Sequence, residues 1–239
     1  MKNLPEINCD LGEGIKSEEA IFPWIDAASV ACGGHIGDKK TIKNTLLLAK
    51  KFGKKAGAHP SYPDPENFGR KSMNISIKNL IESIQNQIEN FRLVADDLNI
   101  HMDHIKFHGA LYNDSAGNET LADQLTDYLK ESFPKSIIFC PPNSFMESFS
   151  NEKDLKIKLE VFADRAYNPD FSLVSRSIPG SLMSDFDSIS KHLEILFSEG
   201  KILTRTGEKL SVKADTLCFH GDNPGLNLFL PKIRNKWWA

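Results

Sequence analysis

The residues of this chain best suited to chemistry recur at one kind of place. Short strand-like runs end in Asn8-Cys9-Asp10-Leu11-Gly12-Glu13, in Cys32-Gly33-Gly34-His35 before Gly37-Asp38, and in Gly57-Ala58-His59-Pro60. Others end in Lys106-Phe107-His108-Gly109 and His220-Gly221-Asp222-Asn223, and one passes through Glu160 to Asp164-Arg165. Four of the seven histidines therefore close a strand-like run. Histidine titrates near neutrality and can act as general base or acid. Asp10 with two histidines, for which His59 and His108 are the leading partners, can bind a divalent metal and polarise water or a carbonyl. Lys106, Arg165 and Arg176 can hold a carboxylate or phosphate, arginine by a bidentate contact.

Each residue also has a plainer reading. A lone strand-end histidine is commonly a hydrogen-bonded structural residue, Asp10 could cap a turn, and the adjacent glycines could simply serve turns. Asp38 reads as a helix cap. His101, His104 and His192 fit no strand-end pattern and read as surface or structural. The recurrence of histidines and carboxylates at equivalent ends of separate strands is what argues for a single site.

Those ends must be positioned by a repeating scaffold. Seven strands are expected at 5–10, 28–32, 54–59, 103–108, 136–140, 157–163 and 214–220, several of them nearly continuous apolar stretches suited to parallel strands. Amphipathic helices lie between them. Asp38 can cap one with Ile42, Leu46, Ala49 and Phe52 inward and Gly53 as its stop. Ser76 can cap the longest, with a stripe from Ile77 through Leu80, Ile81, Ile84, Ile88 and Phe91 to Ala95. Asp185 opens a third, with Ile189, Leu193, Leu196 and Phe197 inward and Gly200 at its end. Asn223-Pro224 reads as a cap followed by proline at the first helical position, before Leu226, Phe229, Leu230 and Ile233. A hairpin is expected over 202–212 with Thr206-Gly207 at its turn. Alternation of strand and helix implies a parallel sheet, either open or closed into a barrel. In a barrel the strand ends open on one face, where catalytic groups gather. The long irregular stretches 60–75 and 164–184 carry Arg, Asp, Gly and Pro, and loops of that length are usually functional or disordered.

Composition narrows the options. The 239 residues suit one (β/α) barrel as a single domain, 1–239, able to bury a core without disulfides or metals. A formal charge of −3 and a pI near 6.2 argue against a nucleic-acid partner. No apolar run could span a bilayer, and the first ten residues carry no apolar signal core, so the expected location is the cytoplasm. Cys9, Cys32, Cys140 and Cys218 form no CxxC pair and read as free buried thiols. Neither GxGxxG nor GxxxxGK[ST] is present, which removes support for the common open-sheet nucleotide folds.

The chain resembles the LamB/YcsF family, also known as the A subunits of 5-oxoprolinase. The matching strings are Asn8–Glu13, Ala31–Asp38, Gly57–Pro60 with Tyr62-Pro63-Asp64, and Phe68–Arg70. Lys106, His108–Asn113, Phe162–Tyr167, Pro179-Gly180 and His220–Pro224 follow in the same order. The resemblance implies a seven-stranded, TIM-like (β/α) barrel related to the barrels of glycoside hydrolases and polysaccharide deacetylases. It implies cleavage of 5-oxo-L-proline to L-glutamate with ATP as co-substrate, giving ADP and phosphate, in company with subunits B and C. Three positions depart from the usual pattern: Ser29 in place of Asn, Ile36 in place of a small residue, and Phe107 in place of Pro. Loss of a substrate hydrogen bond at Ser29 and a shifted His108 are the expected consequences.

Residue chemistry suggests roles for such a reaction. Asp10, His59 and His108 suit water activation or metal binding, and Lys106 suits a phosphoryl group or oxyanion. Arg165 or Arg176 suits the substrate carboxylate, and Glu13, His35, Asp164, His220 and Asp222 complete the expected substrate-binding set. Two rival readings share the barrel: a metal-dependent deacetylase or carbohydrate hydrolase that needs no ATP, and a non-catalytic subunit that only binds substrate.

Overall fold

The protein, seen in a computed structural model, is described over residues 4–238. Its strands are β1 (Glu6–Leu11), β2 (Ala27–Ala31), β3 (Lys55–His59), β4 (Met102–Lys106), β5 (Ile137–Cys140), β6 (Lys156–Phe162), β7 (Lys201–Leu203), β8 (Lys209–Ser211) and β9 (Thr216–His220). Seven of them form a closed parallel barrel in the order β1-β2-β3-β4-β5-β6-β9, and β7 and β8 make a separate antiparallel hairpin. The barrel strands agree with the sequence expectation to within two residues at each end, and β4 stops at Lys106. Closure is completed by β9 pairing with both β1 and β6, so that His220 lies level with Asp10.

Alternation along each strand explains how the barrel holds a polar site. Ile7, Cys9 and Leu11 of β1, Leu159 and Val161 of β6, and Leu217 and Phe219 of β9 are buried and join the hydrophobic core. The intervening residues bond across the barrel: Asn8 Nδ2 donates to Glu160 Oε1 and Thr216 Oγ1, each at 2.8 Å. One layer up, Asp10, Lys106 and Cys218 meet. The buried strands are thus apolar on the outer side and polar, but mutually bonded, on the inner side.

The helices are α1 (Glu18–Ile21), α2 (Lys39–Phe52), α3 (Ile77–Asp97), α4 (Gly109–Gly117), α5 (Glu119–Ser132), α6 (Phe145–Glu152), α7 (Phe186–Glu199) and α8 (Leu226–Trp237). Asp38 caps α2 in a full capping box, Ser76 caps α3 and Asp185 caps α7. Gly53 and Gly200 end α2 and α7 in the left-handed conformation. The sequence pattern did not mark α1, α4, α5 or α6. One expected cap is corrected: α8 begins at Leu226, with Gly225 at the cap position. Asn223 Nδ2 instead donates to Asp164 and to the Met183 carbonyl. All four cysteines are free and buried, and among the described residues no helix is long and apolar enough to cross a membrane.

The chain's end closes the bottom of the barrel. Trp238 Nε1 donates to the Pro5 carbonyl at 3.0 Å, and Phe197 packs edge-on against Trp237 and Trp238. Arg234 makes two bonds to Asp26, at 2.7 and 2.9 Å. Ala239 lies outside the described residues. Deleting 237–239 should lower stability by about 2 kcal/mol, roughly 4–8 °C in melting temperature for a chain this size. Thermal unfolding followed by circular dichroism checks this, and an unchanged midpoint would refute the packing role.

Candidate active site

Strand ends and the loops after them converge on a cavity of about 290 Å³ at the C-terminal face of the barrel. Asp10, Glu13, His59, Lys106, His108, Arg165, Arg176 and His220 line it, with Arg70 and Tyr112. His59 and His220 are the last residues of β3 and β9, and His108 stands two residues beyond β4, just before α4. Gly109 permits that turn. Its φ is +58°, and a Cβ there would lie 2.5 Å from the Gly69 carbonyl oxygen. The loop 60–75 is thereby held against His108.

The floor is a buried ion-pair cluster. Lys106 Nζ lies 2.7 Å from Asp10 Oδ1, 3.1 Å from Glu160 Oε1 and 3.0 Å from Cys218 Sγ. Burial alone would push the Asp10 carboxyl up, but the Lys106 ammonium outweighs it and holds Asp10 well below the usual range. Burial likewise works against the Lys106 charge, and Asp10, Cys218 and Glu160 more than restore it. Both groups therefore remain charged. The Lys106 ammonium is taken up by these carboxylates, so it orients Asp10.

Three imidazoles stand above this floor. His59 Nδ1 lies 2.8 Å from the Lys106 carbonyl oxygen, and its Nε2 is 3.5 Å from Asp10 Oδ2. His108 Nε2 lies 3.0 Å from the Phe68 carbonyl oxygen, and its Nδ1 is 3.0 Å from His59 Nε2. His35 stacks on His108 with ring centroids 3.7 Å apart, while its Nε2 approaches Glu13 Oε1 at 3.1 Å. Burial, then the neighbouring His35 and His59, hold His108 well below 6.5, which leaves it neutral at pH 7. Phe68, whose carbonyl engages His108, has a positive φ of 54° without being glycine. Local strain of this kind concentrates at functional sites.

The rim carries cations. Asp222 accepts from Arg70 Nη2 at 2.6 Å and from Arg176 Nη1 at 2.7 Å. Arg165 donates from Nε to Ser181 O and from Nη2 to Val174 O, which ties down the 164–184 loop. Asp222 thus answers two guanidinium groups with one carboxylate, leaving positive charge facing the cavity. Burial pushes Asp222 up, but the two arginines bring it down to about 2. A carboxyl lowered from about 3.9 in the unfolded chain adds stability that is full above about pH 4 and lost as pH falls through about 2. Asp222→Asn should therefore lose stability at pH 6 and lose progressively less relative to wild type between pH 4 and 2. Urea midpoints across that range check it, and a pH-independent deficit would contradict the ion pairs.

Not every residue expected from sequence reaches the cavity wall. Asp164 is buried behind His220, accepting from His220 N at 3.1 Å and from Asn223, with His220 Nδ1 2.8 Å away. His35 forms a layer behind His108, pinned by Ser61. Asp222 sits at the rim between its arginines. Ser29 lies in the barrel interior against His104 Nε2 at 3.1 Å and lines no part of the cavity, so position 29 has no substrate contact there to lose, and the expected consequence is corrected. Phe107 is buried and lines the cavity. Sequence reasoning gave Arg70 and Glu160 no role in the site. Arg70 stands in the Phe68–Arg70 string, and Glu160 is a carboxylate inside an apolar run, so both signals were present.

A closed parallel (β/α) barrel with a buried carboxylate–lysine floor, a histidine cluster and an arginine rim defines an enzyme-like barrel with its site on the C-terminal face. Residues 5–238 match the LamB/YcsF family, and the chain belongs to that family. It is 36% identical over 235 residues to a 5-oxoprolinase A subunit of Neisseria meningitidis serogroup C (strain 053442), covering 98% of this chain and 96% of that one. It is 35% identical over 224 residues to a 5-oxoprolinase A subunit of Natranaerobius thermophilus, covering 92% and 87%. The crystal structure of a lactam utilization protein from Thermus thermophilus superposes with a TM-score of 0.87 at 29% identity, covering 97% and 96%.

Proposed function

We propose that this chain serves as the A subunit of an ATP-dependent 5-oxoprolinase and, with subunits B and C, converts 5-oxo-L-proline to L-glutamate while ATP becomes ADP and phosphate. The observation that carries the reading is a cavity with proton acceptors on its floor and arginines on its rim, in a chain that aligns end to end with relatives of that name. Arg70 and Arg176 suit the substrate carboxylate, because their two charges meet only one carboxylate in Asp222. Phosphorylation of the lactam oxygen makes the carbonyl carbon electrophilic. Water then adds to that carbon, and its proton passes to the cluster of Asp10, Glu13, His59 and His108. The cluster returns that proton to the nitrogen as the C–N bond breaks and the amine leaves, and a second water hydrolyses the resulting acyl phosphate to release phosphate. Lys106 keeps Asp10 ionised and oriented throughout. ATP belongs on a partner or at a shared interface, since the chain has no phosphate-cradling glycine loop.

The purified chain alone should therefore release almost no glutamate from 5-oxoproline and ATP. Robust turnover by the isolated chain would refute the division of labour. The cluster Asp10, His59 and His108 also favours a second reading, a metal-dependent deacetylase. That reading requires ATP-independent release of acetate from an acetylated amino sugar by this chain alone.

A further inference from the structure

The histidine cluster presents lone pairs to one another where hydrogen bonds would be expected. A carbonyl oxygen can only accept, so His59 carries its proton on Nδ1, facing Lys106 O, and His108 carries its proton on Nε2, facing Phe68 O. Ser61 gives its one hydroxyl proton to the Tyr62 carbonyl, so it accepts from His35 Nδ1. Neutral rings therefore turn the bare nitrogens His59 Nε2, His108 Nδ1 and His35 Nε2 toward the same small space. His59 Nε2 and His108 Nδ1 lie only 3.0 Å apart with no hydrogen to place between them. Two carboxylate oxygens complete the ring of acceptors. Asp10 Oδ2 is 3.5 Å from His59 Nε2, and Glu13 Oε1 is 3.4 Å from His108 Nδ1 and 4.0 Å from His59 Nε2. Among the described residues no lysine or arginine pairs with the buried Glu13 side chain, whereas Lys106 engages Asp10 through Oδ1 and leaves Oδ2 with only a long contact from the Cys218 thiol at 3.9 Å.

Such a set calls for a cation at its centre. We infer that Asp10, His59 and His108, with Glu13 beside them, form a binding site for one divalent first-row transition metal ion. Donors about 2.0–2.1 Å from a tetrahedral ion lie about 3.4 Å from each other; here His59 and His108 are 3.0 Å apart, His59 and Asp10 3.5 Å, and His108 and Glu13 3.4 Å. Mixed imidazole and carboxylate donors suit zinc, cobalt, iron or manganese. The outer groups are those a metal site requires: backbone carbonyls fix both histidine tautomers, and an ammonium orients the carboxylate. The inference deepens the reading of this site as the place where water is activated and rests on that reading only for its consequence, since a bound ion lowers the pKa of its water. The competing occupant is a single proton, which would make one of the two facing rings an imidazolium and leave no metal site.

Chelator-treated protein titrated with Zn²⁺ by calorimetry, and with Co²⁺ by visible absorption, separates the two. The site predicts one equivalent bound, d–d bands of a four- or five-coordinate cobalt centre, and a melting midpoint raised by several degrees. His59→Gln and Asp10→Asn should each weaken binding about 100-fold or more, and His101→Gln, away from the cavity, should not change it. Absence of stoichiometric binding to the folded wild-type protein overturns the inference, whether or not the variants fold. Binding that survives in folded Asp10→Asn and His59→Gln overturns it equally. Full ATP-dependent glutamate formation in excess chelator would remove the metal while leaving the proposed function standing.

Discussion

His108→Ala is expected to lower turnover of the assembled enzyme by about 10²-fold or more, the usual scale for losing a group that handles the proton of attacking water. The structure adds a stability cost that a strand-end residue on an open barrel mouth would not carry. His108 is buried, stacks on His35, and donates to the strained Phe68 carbonyl, so its loss leaves that oxygen unpaired and a gap beneath Gly69. Activity should therefore be compared at a temperature where circular dichroism shows the variant folded. His108→Gln fills more of the gap and should recover stability without turnover. If both variants retain more than about a third of wild-type turnover while folded, His108 has no part in the chemistry.

Lys106→Met should cost about 3–5 kcal/mol of stability and abolish activity, because it leaves Asp10 and Glu160 as buried charges without their counter-ion. Glu160 would keep only the Asn8 amide at Oε1, and its Oε2 already lacks a partner, so among the described residues no second cation replaces Lys106. Denaturant midpoints measure the loss. Adding Asp10→Asn should restore part of the stability, since it removes one stranded charge, and none of the activity. A single variant within about 1 kcal/mol of wild type would show that the pair does not support the floor of the site.

Much of this arrangement could be read from sequence because barrel geometry converts position on a strand into position in space. Asp10, His59, Lys106, His108 and His220 each stand at or just past a strand end, so a parallel barrel must gather them. The helices capped by Asp38, Ser76 and Asp185 were legible for a local reason: a cap and an apolar stripe are both written within a few residues. What was not legible depends on pairing across long separations. Arg70 and Asp222 are 152 residues apart, and their contact follows only from how two loops fold over the cavity. Asn223 reads locally as a helix cap, yet Asp164 draws its side chain into the site. The segment Gly109–Gly117, rich in Gly, Ala, Asn, Asp and Ser, offers little apolar periodicity; it becomes helical because Ala110, Leu111 and Tyr112 pack under the cavity wall. Closure of the barrel, through β9 against β1, is likewise absent from any local pattern.

The central claim is tested most directly by reconstitution. The chain is mixed with subunits B and C, 5-oxoproline and ATP, and glutamate is followed with each component omitted in turn. Glutamate should appear in step with ADP only when all the components are present, and should be lost when this chain carries His108→Ala. Equal glutamate formation by subunits B and C without this chain would contradict the claim.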